Sequence, residues 1–92
     1  MQSYAIIFTD AAVADLERIR EHIGQDNPAA ASRIAVQIVA TCDRLEYLPE
    51  RGRLGLVRGT RELTSFWPYV VVYRVDRNNV DILRIWHGAQ TR

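Results

Sequence analysis

The sequence predicts an α+β domain in the order β-α-α-β-β-β, a helical hairpin packed on a small, mainly antiparallel sheet. Three observations carry that expectation. A short apolar, β-branched run stands ahead of two stretches with helical periodicity, an Asn-Pro pair divides those stretches, and three runs rich in Val, Ile, Tyr and Trp fill the last third of the chain. With 92 residues, 48% hydrophobic and 25% charged, the chain makes one domain over residues 1–92 and no second folded unit. Its apolar fraction is too high and its net charge of +1 too small for a disordered chain.

Residues 4–8 form an apolar run suited to a buried strand. Thr9 follows as the N-cap of the first helix, with Asp10, Asp15 and Glu17 in the opening turns, where the helix dipole favours acids. Val13, Leu16, Ile19 and Ile23 keep helical spacing on one face, and Gly24 stops the helix. Asn27 and Pro28 supply an N-cap and a first-turn proline for the second helix, which runs to Tyr47 before Leu48-Pro49 closes it. Ala31, Ile34, Ile38, Cys42 and Leu45 make its core stripe. Val36, Ala40 and Tyr47 lie well round the cylinder, leaving Arg33, Gln37 and Arg44 as the polar ridge, so a second side of this helix is expected to be covered.

Residues 50–59 hold three of the five glycines together with Arg51, Arg53 and Arg58, and read as a loop. Strands are expected at 61–66, 69–76 and 80–87, with Trp67-Pro68 dividing the first two and Arg77-Asn78-Asn79 turning the second into the third. A two-residue turn at Asn78-Asn79 sets Val75 opposite Ile82, Tyr73 opposite Arg84 and Val71 opposite Trp86. Val70, Val72, Leu83 and Ile85 then form the more aliphatic face, expected to meet the helices. The other face turns Tyr73, Arg84 and Trp86 outward as a stacking or cation–π platform. A turn of another length would reshuffle both faces.

Charge is divided unevenly. Residues 1–50 carry four arginines against eight acids, a balance of −4, and residues 51–92 carry eight arginines against three acids, a balance of +5. All twelve basic residues are arginine, whose planar fork suits phosphates, carboxylates and aromatic faces. The basic half suits an acidic or nucleic-acid partner. One cysteine allows no internal disulfide, which points to the cytoplasm, with Cys42 as a small buried hydrophobe. No targeting pattern opens the chain, and its longest apolar run, residues 69–73, is far short of the roughly 20 residues that span a bilayer, so no membrane partner is expected. No glycine-rich phosphate loop precedes a helix, and neither His22 nor His87 has a Cys or carboxylate at ligand spacing, so neither cofactor nor metal is expected. His87 is the proton-transfer group of the basic half. Combined with Arg58, Arg61, Arg74 or Arg84 to neutralise developing charge, it fits metal-independent RNA cleavage, although a histidine at a strand end also fits a plain structural role.

Six segments in order, Asp15-Leu16, Asn27-Pro28-Ala29-Ala30-Ala31, Leu48-Pro49-Glu50-Arg51-Gly52-Arg53, Gly59-Thr60-Arg61-Glu62-Leu63, Tyr69-Val70-Val71-Val72-Tyr73-Arg74-Val75 and Ile82-Leu83-Arg84-Ile85-Trp86-His87-Gly88-Ala89, make the chain resemble the RelE/ParE superfamily of type II toxins. The resemblance spans nearly the whole chain. It implies the toxin fold, growth inhibition, a role in plasmid stabilization, and a hetero-oligomer with an acidic cognate antitoxin that wraps the toxin. ParE-like members bind and block DNA gyrase, whereas RelE-like members cut messenger RNA in the ribosome. Leu48-Pro49-Glu50-Arg51-Gly52 and Tyr73-Arg74-Val75 with Ile82-Leu83-Arg84 look more ParE-like, and the lysines frequent around the scissile phosphate in RelE-like nucleases are absent. The expected function is therefore gyrase inhibition by binding. The alternatives are a ribosome-dependent mRNA endoribonuclease and a non-toxic remnant that only binds its antitoxin.

The expected target surface comprises Arg58, Arg61, Tyr73, Arg74, Arg84, Trp86 and His87, and the expected antitoxin surface Val36, Ala40, Tyr47, Tyr73 and Trp86. A nuclease would rely on His87, Arg84 and Arg61. Many relatives place an arginine after the His-Gly-Ala segment, where this chain has Gln90 and reaches an arginine only at Arg92.

Overall fold

A computed structural model of the protein describes residues 2–88. β1 (Ala5–Phe8) leads into α1 (Asp10–Gly24) and α2 (Pro28–Asp43), followed by a 3-10 turn at Arg44–Glu46. β2 (Arg53–Leu54), β3 (Arg61–Leu63), β4 (Tyr69–Asp76) and β5 (Asn79–His87) complete the chain. The five strands form one sheet in the order β1-β5-β4-β3-β2. Only the β1–β5 pair is parallel: the helical hairpin carries the chain from β1 at one edge to β2 at the other, and β3, β4 and β5 return as successive antiparallel neighbours until β5 lies beside β1.

The helix starts follow the capping chemistry of the sequence. Thr9 Oγ1 accepts from the Ala12 N–H at 3.2 Å, and Asn27 Oδ1 accepts from the Ala30 N–H at 3.0 Å ahead of Pro28. Ala12, Ile38, Cys42 and Leu45 pack from the helical layer against Leu63, Val71, Tyr73, Val80, Ile82 and Ile85 of the sheet. The predicted core stripe of α2 thus faces inward, with Ile34 partly buried. On α1 the buried positions are Ala12 and Asp15, flanked by the partly buried Leu16 and Ile19, while Val13 faces outward.

Three boundaries differ from expectation. The second helix tightens after Asp43 instead of continuing to Tyr47, β3 ends at Leu63 instead of residue 66, and the expected loop contains β2, which pairs Arg53 with Glu62 and Leu54 with Arg61. The hairpin register also changes. Asp76 pairs with Asn79, so Arg77 and Asn78 form the turn and Arg77 takes φ +53°. Val72 pairs with Arg84 but Tyr73 with Ile82, so Leu83 is an extra residue at a β-bulge.

The shifted turn keeps side-chain parity, and the bulge overturns the expected faces. The extra residue moves Arg84 and Trp86 to the side of the sheet opposite Ile82, and Val71 gains Ile85 as its neighbour instead of Trp86. The helices consequently meet Val71, Tyr73, Val80, Ile82 and Ile85; of the expected Val70, Val72, Leu83 and Ile85 face, Ile85 alone joins that cluster. Val70 is buried as well, but alternation places it on the far side, opposite Trp86. Tyr73 is fully buried, so it joins no platform with Arg84 and Trp86.

Candidate functional site

The predicted site residues divide between the two ends of the sheet. β1 stops at Phe8, opposite Ile82, so among the described residues the rest of β5 has no neighbouring strand on that side. Side chains of the first helical turns take its place. The Thr9 hydroxyl donates to the Ile82 carbonyl at 2.8 Å, and Asp15 Oδ2 accepts from the Ile85 N–H at 2.9 Å. Asp15 also receives both arms of the Arg84 fork, Nε to Oδ2 at 2.7 Å and Nη2 to Oδ1 at 2.9 Å, and it pairs with Arg18. Burial alone would raise the Asp15 pKa, but the hydrogen bonds from Arg84 and the Ile85 N–H, with the charges of Arg84 and Arg18, outweigh it and hold the carboxyl below its ordinary value.

Arg84, fixed by this pair, lies over the Trp86 ring with its guanidinium carbon 4.9 Å from the ring centroid. Beyond it, His87 meets the edge of Tyr69, with centroids 5.6 Å apart and planes at 84°. An open cleft runs between α1 and this end of β5, lined by Arg18 and His22 on one side and Tyr69, Arg84, Trp86 and His87 on the other. The two histidines far apart in sequence therefore line one cleft. The Trp86 indole nitrogen is buried and has no hydrogen-bond partner among the described residues.

At the opposite end, the Tyr73 hydroxyl leaves the core to hold the segment after α2. It donates to the Pro49 carbonyl at 2.7 Å and accepts from the Gly52 N–H at 2.9 Å. Arg61 donates to the Glu50 and Gly52 carbonyls at 3.2 and 2.8 Å. A Cβ at Gly52 would lie 2.6 Å from the Tyr73 hydroxyl and 2.9 Å from the Glu62 carbonyl oxygen, so glycine is needed for this close approach. Arg53 binds the buried Glu62 carboxylate through Nε and Nη2, at 3.1 and 2.8 Å. The Pro49-Glu50-Arg51-Gly52 motif is thus read by Tyr73 and Arg61 from within the protein.

Among the other expected contacts, Arg58 is exposed in the turn before β3, and Arg74 faces Asp81 across the hairpin at 3.7 Å. Val36 and Tyr47 are 67% and 53% exposed, while Ala40 and Trp86 are half-buried. Gln90 and Arg92 lie outside the described residues. Sequence reasoning missed Asp15, Arg18 and His22 as neighbours of Arg84 and His87. The available signal was Asp15 itself, a carboxylate in the inward stripe between Ala12 and Ile19. Among the described residues no three metal-ligating side chains gather, and no helix is long and apolar enough to cross a membrane.

Residues 6–92 match the model of the ParE toxin of the type II toxin-antitoxin system parDE. Toxin RelE2 of Caulobacter vibrioides is 44% identical over 85 residues, 92% of this chain and 96% of that protein. Putative toxin Y4kP of Sinorhizobium fredii is 36% identical, over 98% of this chain and 94% of that protein. Among solved structures, a chain of the chromosomal ParDE system from P. aeruginosa superposes with a TM-score of 0.84 at 30% identity, covering 92% of this chain and 96% of that one. A chain of the toxin-antitoxin complex RelBE2 from Mycobacterium tuberculosis gives 0.70 at 27% identity, covering 92% and 98%. A shared fold, near-complete coverage in both directions and the match over residues 6–92 lead to one conclusion: the chain belongs to the ParE toxin family of type II toxin-antitoxin systems.

Proposed function

We propose that this toxin inhibits DNA gyrase by binding it, and that a cognate antitoxin restrains it by covering Val36 and Ala40 of α2 together with Tyr47, which follows the 3-10 turn. The observation that carries the binding reading is the state of the two arginines a nuclease would need. Arg84 is held as a bidentate pair on Asp15, and Arg61 donates to two backbone carbonyls. A guanidinium already paired to a buried carboxylate has little charge to offer a phosphate in its transition state. Position supports the same reading. Arg61 is level with Tyr73 on β4 and His87 is level with Tyr69, which separates them by about 13 Å along the strand at roughly 3.3 Å per residue. The absence of lysine adds to this.

The decisive experiment assays the purified protein for inhibition of gyrase supercoiling and, separately, for transcript cleavage on translating ribosomes. Gyrase inhibition is expected, and His87→Ala should retain it within about twofold. Ribosome-dependent cleavage that His87→Ala or Arg84→Ala weakens by orders of magnitude would establish the endoribonuclease instead. Full growth on strong induction without antitoxin would leave only the antitoxin-binding remnant.

A further inference from the structure

We infer that residues 51–58 form a preorganised docking element for an acidic protein surface, and that this element carries the contact with the inhibited target. The inference rests on the binding mode proposed above and names its surface. Leu54 and Leu56 are each 78% exposed and Val57 is 70% exposed, three aliphatic side chains within four positions. Isolated exposed aliphatics are ordinary, but a cluster of them marks a contact surface. Among the described residues β2 is also the last strand of the sheet, so its outer backbone edge faces no other strand there.

The element is held in place before any partner arrives. The Tyr73 and Arg61 bonds anchor its start at Pro49, Glu50 and Gly52. Pairing with β3 and the Arg53–Glu62 contact fix its middle. Its far end is closed by the Gly55 N–H donating to the Thr60 carbonyl at 2.9 Å, and by the Thr60 N–H and hydroxyl donating to the Val57 carbonyl at 3.1 and 2.5 Å. Ordering lost before association is not lost again on binding, which favours affinity.

Charge selects the partner. Residues 50–61 hold four arginines and one glutamate. Arg53 and Arg61 have their carboxylates in Glu62 and Glu50, whereas the Arg51 and Arg58 side chains make no hydrogen bond or ion pair among the described residues. Two available guanidinium groups beside an apolar centre match the anatomy of a protein interface whose partner is acidic. A single-stranded nucleic acid would call for stacking surfaces, and residues 50–61 contain no aromatic side chain.

The test uses the full chain and two variants, Leu54→Ser with Leu56→Ser and Val57→Ser, and Arg51→Glu with Arg58→Glu. Each is assayed for gyrase inhibition, for growth arrest on induction, and for affinity to the co-expressed antitoxin. Both variants are expected to keep the far-ultraviolet circular dichroism spectrum and antitoxin affinity within about threefold, while the concentration for half-inhibition of gyrase rises at least tenfold. Unchanged gyrase inhibition in the apolar variant overturns the inference. A parallel loss of antitoxin affinity also overturns it, by assigning the element to the antitoxin. If the wild-type chain does not inhibit gyrase, the proposed function fails separately. Growth arrest then decides the docking element, because arrest lost with antitoxin affinity intact supports it, and arrest retained overturns it.

Discussion

The two borders of the sheet face the same physical problem and treat it differently. A strand without a neighbour displays unpaired N–H and C=O groups, and proteins commonly cover, shorten or charge such an edge. Along β5, past the end of β1, Thr9 and Asp15 supply side-chain partners, and the charge that results is matched inside the protein by Arg84 and Arg18. At β2 the strand is only two residues long, yet the side chains around it are leucine and valine turned to solvent. One border is closed by an internal ion network and the other is left open with apolar side chains on display. Arginine count alone does not separate these borders. Arg84 and Arg61 serve the fold, whereas Arg51 and Arg58 remain available.

The largest expected effect breaks the closed border. Asp15→Ala leaves the Ile85 N–H and the Arg84 fork without their acceptor, and should cost about 2–3 kcal/mol, in the range for hydrogen bonds to charged groups. In a domain of this size that lowers the melting temperature by about 10–20 °C, measurable by thermal unfolding. The same residue gives the border a pH dependence. Its folded pKa lies below the ordinary value of 3.8, so its contribution is complete above that value and is lost as pH falls through the lower folded value. Urea midpoints of the wild type and Asp15→Ala should therefore converge on acidification below about pH 4. Equal midpoint differences at pH 7 and pH 2.5 would remove Asp15 as the source.

A smaller effect is expected where the open border is anchored. Tyr73→Phe keeps the ring in the core but removes the donor to Pro49 and the acceptor for Gly52, and should cost about 1–2 kcal/mol. Hydrogen exchange at the Gly52 amide should quicken in the variant by more than at Ile85, because the damage is local to that segment. The smallest effect sharpens the contrast. Leu54→Ser should change stability by no more than about 0.5 kcal/mol, since its side chain is mostly in water already. A loss of 2 kcal/mol there would mean that the patch belongs to the fold and is not displayed for a partner.

Local chemistry made much of this architecture legible. Thr9, Asn27-Pro28 and the Ile34, Ile38, Cys42, Leu45 spacing mark the helices and their inward stripe, and β4 occupies the predicted residues 69–76. The hairpin faces were not legible, because one extra residue at Leu83 reverses the parity of everything after it in β5 and nothing in the local sequence demands a bulge there. That reversal is why Arg84 and Trp86 were grouped with Tyr73. The Asp15 contacts were hidden for a different reason, since Arg84 lies 69 positions away and only the packing of α1 against β5 brings them together. Leu54, Leu56 and Val57 were read only as part of a loop, because sequence does not reveal whether an apolar side chain in a loop folds inward.

Cys42 gives the molecule an internal clock. It is the sole thiol, it is fully buried in the core, and burial together with the nearby charge of Asp43 pushes its pKa up to about 12. A thiol-specific reagent at mildly alkaline pH consequently meets a reactive sulfur only in molecules that have opened. The labelling rate, divided by that of an unfolded chain, reports how often the core opens, with no engineered probe. Any partner that binds only the folded form slows that clock in proportion to its occupancy.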